Sequence, residues 1–269
     1  MISTEILQTI DKYKSLGIAE QIDYQKFYLY SIITHSTAIE GSTVTELENQ
    51  LLFDDGITAN GRPLQEQMMN VDLKNAYQEA QRLAVAHADY STKMLCRLSA
   101  LVMRNTGGTY NTILGTFSAA EGDLRLLNVT AGYGGRSYMS CQKVPKAVEE
   151  FCQWLNGERK KISSVDVIAA YCLSFSAHYR LVNIHPWADG NGRMSRLVMN
   201  MLQWEFGLIP VKVHKTQKSE YIQALNDTRD NENEEIFSQV MLDLHNRNLK
   251  AEISEFEKSM QFEINFFSK

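Results

Sequence analysis

Apolar residues along this chain recur mostly at intervals of three and four, the spacing that lines one face of an α-helix. Tyr24, Tyr28, Ile32, His35 and Ile39 form one such stripe over residues 24–40, and Gly41 stands where that helix would end. Helical patterns follow at 45–53, closed by Asp54-Asp55-Gly56, at 64–87, with Met69, Leu73, Ala76, Ala80 and Leu83 on the core side, and at 92–104. Pro145 opens another helix at a position that tolerates proline, and Val148, Phe151, Cys152 and Leu155 pack inward up to Gly157. Residues 163–179 carry Ile168, Cys172, Phe175 and Tyr179 on one face, with Ser163 and Asp166 placed as a capping box. Residues 194–206 carry Val198, Met201 and Glu205 along one side, and Gly207 terminates them. After Pro210, residues 218–226 read as helix, 230–235 as an acidic turn, and 236–269 as one or two terminal helices.

The rhythm breaks between Gly108 and Ser140, where glycines punctuate short segments such as Leu124-Arg125-Leu126-Leu127 and Val129-Thr130. This predicts loops and one small β-hairpin. The expected fold is therefore all-α with a single hairpin. Its expected divisions are a helical region at 1–105, a core domain at 106–245 and a helical tail at 246–269. Hydrophobic content of 44% suits an ordinary globular protein, and a net charge of −5 argues against broad nucleic-acid binding. No apolar run approaches the ~18 residues of a membrane span. The polar first residues lack a secretory core. The four cysteines have no paired spacing. A reduced, cytoplasmic protein is expected.

One stretch concentrates chemistry: His185-Pro186-Trp187-Ala188-Asp189-Gly190-Asn191-Gly192-Arg193-Met194-Ser195-Arg196. It lies between two helical patterns and feeds a helix start, where free N–H groups and the positive end of the dipole attract anions. Glycines there allow close backbone approach to a phosphate. Arg193 and Arg196 share a helix face and can fork onto phosphate oxygens. Asp189 is a hard oxygen ligand suited to Mg²⁺. His185 can titrate near neutrality and act as a general base. An Asp-Gly-Asn-Gly string alone is more often a tight turn, and a lone His is more often structural. A calcium loop from Asp189 fails because Arg193 and Asn200 occupy ligand positions. There is neither a phosphate-binding Walker A loop nor a zinc quartet.

The string resembles the Fic-family signature, H-x-F-x-[DE]-G-N-G-R-x-x-R, with Trp187 in place of the usual Phe, and the wider resemblance covers roughly residues 20–245. It implies a transferase moving AMP from ATP to a Ser, Thr or Tyr hydroxyl of a target protein, a nucleotidyltransferase activity (AMPylation). In that reading His185 is the catalytic base, Asp189 holds Mg²⁺ (or Mn²⁺), and Gly190, Asn191, Gly192, Arg193 and Arg196 bind the phosphates. Ser36-Thr37-Ala38-Ile39-Glu40-Gly41 resembles the family's inhibitory motif, [ST]-x-x-x-E-[GN], whose position ahead of the signature implies that Glu40 pairs with Arg196 and blocks productive ATP binding. A carboxylate at a helix C-terminus wants a compensating partner in any case. Tyr221 and Asn226 resemble an adenosine-contacting stretch, with a structural tyrosine as the alternative. Residues 128–139 resemble the flap hairpin that presents the target. Removal of AMP, transfer of another phosphate-containing group, a module needing a separate partner and a catalytically silent ATP-sensing scaffold are the rival readings. Partners are then ATP and an unidentified protein, with no nucleic acid and no membrane. A homo-oligomer stays open.

Overall fold

The helical periodicity is realised as ten α-helices among the residues that the computed structural model describes, 2–131, 135–163 and 165–267. In chain order these are α1 (Ile2–Ser15), α2 (Tyr24–Ile39), α3 (Glu46–Asp54), α4 (Leu64–Val85), α5 (Thr92–Met103), α6 (Val144–Arg159), α7 (Val167–Ile184), α8 (Asn191–Glu205), α9 (Lys218–Asp230) and α10 (Glu234–Phe267). Strands β1 (Thr109–Thr112) and β2 (Gly115–Ser118) pair antiparallel, Tyr110 opposite Phe117. The mainly helical fold with one small hairpin is therefore as the sequence predicts. No described helix is long and apolar enough to cross a membrane.

Helix α8 is central. Every residue from Asn191 to Gln203 except Gly192 is buried, and the helix packs on α7 and α4. Its apolar positions, Met194, Leu197, Val198, Met201 and Leu202, join α2, α4, α5 and α6 in one core. Asn200 and Gln203, buried on this helix, are matched to neighbours, whereas Ser195 Oγ and two Arg193 nitrogens are buried without a partner. Asn200 accepts from the Tyr77 hydroxyl at 2.8 Å and donates to the Val211 carbonyl at 3.0 Å. Gln203 donates to the Ser174 hydroxyl at 2.9 Å and accepts from the Val211 N–H at 2.8 Å. A second core joins α1, α7, α9 and α10 around Tyr171, Phe175, Tyr221 and Phe237. Helix α10 passes position 246 without interruption, so the expected start of a tail is not an element boundary.

Three local expectations shift. Helix α7 begins at Val167, not Ser163, because the Asp166 carboxylate alone caps it, accepting the Ala169 N–H at 3.0 Å. Helix α8 begins at Asn191, three residues before the expected start, because Gly190 takes the left-handed conformation of an N-cap (φ 80°). Gly192 and Arg193 are therefore inside its first turn, and Gly190 stands just before it. The regular hairpin is at 109–118, upstream of the segment 128–139 that was expected to form it. That segment keeps an isolated bridge, Thr130 opposite Ser137. Residues 132–134 at its tip lie outside the described residues.

Candidate active site

The loop between α7 and α8 is fixed by its own side chains. Trp187 is fully buried and its indole N–H donates to the Gly122 carbonyl at 3.1 Å. Asn191 accepts the Trp187 N–H at 3.1 Å and donates to the Trp187 carbonyl at 2.9 Å. The Asn191 amide is thus spent on the loop, and the expected side-chain contact to phosphate gives way to a bracing role. A Cβ at Gly190 would lie 2.7 Å from the Met103 sulfur, so glycine is required there by space as well as by φ.

His185 ends α7 with φ 52°, a conformation rare for a residue with a side chain. Its Nδ1 lies 3.2 Å from the Val182 carbonyl. A carbonyl can only accept, so Nδ1 carries the proton and Nε2 keeps the lone pair of a base. Tyr138 stacks on the imidazole, ring centres 3.8 Å apart. Burial lowers the His185 pKa to about 4; the Val182 bond opposes this and the charge of Arg125 adds to it. The ring is therefore neutral at pH 7.

Helix α2 enters from the other side. The Arg196 guanidinium donates to the Glu40 carboxylate at 2.5 Å, to the Ser36 hydroxyl at 2.8 Å and to the Ser36 carbonyl at 3.0 Å. Glu40 is the C-cap of α2, and Arg196 supplies the compensation its position called for. Burial pushes the Glu40 carboxyl up, but Arg196, with help from Arg193 and Lys218, outweighs it and leaves its pKa below the usual value. The Glu40 carboxylate also lies close to the start of α8, for a Cβ at Gly192 would be 2.6 Å from its oxygen. An internal anion thus lies where a helix N-terminus and an arginine converge.

These groups border a cleft of about 580 Å³ that also meets Tyr138, Lys218, Asn226 and Arg229. Tyr221 forms part of its floor but is only 1% exposed; its hydroxyl lies 2.8 Å from His178 Nε2 and 3.5 Å from Arg196. The packing favours the structural alternative for Tyr221. Asn226 accepts from Arg229 at 3.1 Å at the cleft edge. Asp189 and Arg193 lie behind the cleft. Arg193 is buried, 3.6 Å from Asp189, and its Nε and Nη1 have no partner. Asp189 is 62% exposed, and its carboxylate accepts the Gly190 N–H at 2.5 Å. No cluster of three metal-ligating side chains occurs among the described residues. One exposed carboxylate is compatible with Mg²⁺, which commonly takes one or two carboxylates and completes its shell with phosphates and water.

Arg125, Tyr138 and His178 were not picked out from the sequence. An arginine inside the apolar run Leu124-Arg125-Leu126-Leu127 was the available signal for the first. The other two are stacked or buried by tertiary contacts, which local spacing does not report.

This fold and this helix-start site define a class. Residues 89–203 match the Fic/DOC family, and the chain carries a Fic/DOC family domain. Among curated proteins it is similar to "Protein adenylyltransferase Fic" of Drosophila persimilis, 27% identical over 83% of this chain and 43% of that protein. The Drosophila erecta protein of the same name is 30% identical over 72% of this chain and 36% of its own length. The chain thus spans less than half the length of these relatives. In fold it is similar to a Fic domain containing signaling protein from Bacteroides thetaiotaomicron (TM-score 0.77, 20% identity, 94% of this chain and 98% of that one). It is likewise similar to Fic-1 of C. elegans (TM-score 0.69, 20% identity, 94% and 71%).

Proposed function

We propose that this chain is a protein adenylyltransferase that moves AMP from ATP to a hydroxyl side chain of a target protein and is held inactive by Glu40. One observation carries the reading. The Glu40 carboxylate sits on Arg196 and over Gly192, so the anion site at the start of α8 is built and is filled from within. The adenylyltransferase relatives give the reading its chemistry: ATP as substrate and a protein as acceptor.

His185 Nε2 would accept the proton of the incoming hydroxyl as that oxygen attacks the α-phosphorus and pyrophosphate leaves. The neutral imidazole, held by Val182, is ready for this at pH 7. Arg193, whose Nε and Nη1 are buried without a partner, would reach the β-phosphate once its surroundings open, and Arg196 would take the γ-phosphate once Glu40 lets go. The N–H groups of Gly190, Asn191 and Gly192 face the same end of α8. Asp189 would hold Mg²⁺ (or Mn²⁺), which would supply charge neutralisation for the leaving group. Most of the rate then comes from positioning and fixed charge, with general-base help worth about 10²- to 10⁴-fold.

The test is to incubate the Glu40→Gly protein with ATP labelled at the α-phosphate and a cell lysate, and to weigh the modified peptides. AMP on Ser, Thr or Tyr is expected. Label that never reaches protein, or a different added group, would overturn the reading.

A further inference from the structure

We propose that Arg125 is a positioning residue that locks the flap to the catalytic histidine, so that one side chain fixes where an incoming hydroxyl meets His185. The inference rests on the adenylyltransferase reading.

Arg125 is 1% exposed and has no carboxylate within ion-pair distance among the described residues. A buried cation without a counter-ion is costly unless its nitrogens are hydrogen-bonded. Each of the three guanidinium nitrogens donates to a carbonyl. Nε donates to the His185 carbonyl at 2.7 Å, Nη1 to the Leu127 carbonyl at 2.8 Å and Nη2 to the Met139 carbonyl at 2.7 Å. The Arg125 backbone N–H donates to the Pro186 carbonyl at 3.0 Å. Leu127 leads into the flap and Met139 leaves it. The pairing between them joins the Tyr138 N–H to the Val129 carbonyl and the Ala131 N–H to the Arg136 carbonyl, each at 3.0 Å. One planar fork therefore holds both ends of the flap and the backbone of His185. Three diverging carbonyls suit a rigid guanidinium; a lysine ammonium is a point charge that cannot span them all.

Two consequences follow. The left-handed backbone of His185 is strained, and the bond to its carbonyl helps hold it there. The same flap arm also reaches the imidazole directly, through the Tyr138 stack. Flap register and imidazole orientation are thus one geometry. The Arg125 charge faces His185 together with Asp189 and Glu40, which act in the opposite sense on its protonation.

The test uses Arg125→Lys and Arg125→Met in the Glu40→Gly protein, read by labelled AMP incorporation, by calorimetric Mg-ATP affinity and by the acid limb of the rate. Expected is a fall in incorporation of about 10- to 100-fold, the scale of a misplacement near 1 Å, with ATP affinity changed by less than about threefold. The acid limb should stay in place with Lys, which keeps the charge, and move up with Met. Incorporation at the parent rate in the Lys variant overturns the inference, as does loss of ATP affinity in step with transfer. Should either variant not fold, hydrogen exchange on the unaltered chain decides. The amides of Tyr138 and Arg125 opening together supports the lock, and Tyr138 exchanging at an unprotected rate overturns it. A Glu40→Gly parent that incorporates no label refutes the proposed function instead, and exchange alone then judges the lock.

Discussion

Replacing Glu40 by Gln keeps the side chain's shape and removes its charge, which isolates the ion pair with Arg196. A hydrogen bond to a charged group contributes about 1.5–3 kcal/mol. The Glu40 side chain is 35% exposed while that of Arg196 is 4% exposed, so solvent screens one partner and the lower half of that range, about 1.5–2 kcal/mol, applies. The substitution also relieves a negative charge at the C-terminal end of α2, a gain of about 0.3–1 kcal/mol. The net loss of folding stability is then about 1 kcal/mol, which lowers Tm by roughly 2–4 °C for a chain of this size. Toward nucleotide the same 1.5–2 kcal/mol is freed, because Arg196 no longer has to leave a carboxylate before meeting a phosphate. That is about 10- to 30-fold tighter Mg-ATP binding. The assay pairs calorimetry with thermal unfolding, with and without Mg-ATP, which should more than restore the lost Tm. ATP affinity within about twofold of wild type, despite the expected fall in Tm, would refute the claim that Glu40 and a phosphate compete for Arg196.

Three further outcomes are expected. His185→Ala should abolish labelled AMP incorporation while leaving Mg-ATP affinity nearly unchanged by calorimetry, since the imidazole faces the acceptor side; lost affinity would assign it a binding role instead. Tyr221→Phe removes the hydroxyl between His178 and Arg196, and should cost about 1–2 kcal/mol in urea unfolding with little change in adenine selectivity; a selective loss of ATP over GTP would restore the adenosine contact. Acidification should destabilise the fold from about pH 6.5 downward. Burial lowers His185 and His214 to about 4 and His178 and His245 to about 3 in the native state, so the unfolded chain binds more protons in that window and stability falls as pH falls. A urea midpoint unchanged between pH 7 and pH 5 would contradict the neutral burial of these rings.

The sequence reported most faithfully what depends on neighbours along the chain. Helical stripes located the helices because burial of one face follows a fixed period, and Gly41 and Gly207 marked ends where a left-handed residue is needed. Helix starts were harder. Asp166 caps α7 and Gly190 caps α8, and nothing in spacing tells which of two candidate caps the chain will use. The hairpin was misplaced because glycine punctuation runs through the whole of 108–140, while pairing is decided by what each strand packs on. Tyr110 stacks on Phe117 and Phe117 is buried, so the regular ladder forms there.

The candidate site divides along the same line. His185, Asp189 and the two arginines sit close in sequence and were legible as a group. Glu40 was singled out by the resemblance of residues 36–41 to the inhibitory motif, and a carboxylate at a helix end was only a weak sign of a partner cation. That cation proved to be Arg196, 156 positions away. Arg125 had no such deficit to announce itself: its charge is met by three carbonyls, which carry no signature in sequence. Arg196 and Arg125, both buried in this site, therefore differ in kind. Arg196 is paired with a group that an incoming anion can replace. Arg125 is paired with backbone that nothing can replace. The first is built to exchange partners and the second to keep them, and this is why substitution of Glu40 should release activity whereas substitution of Arg125 should only remove it.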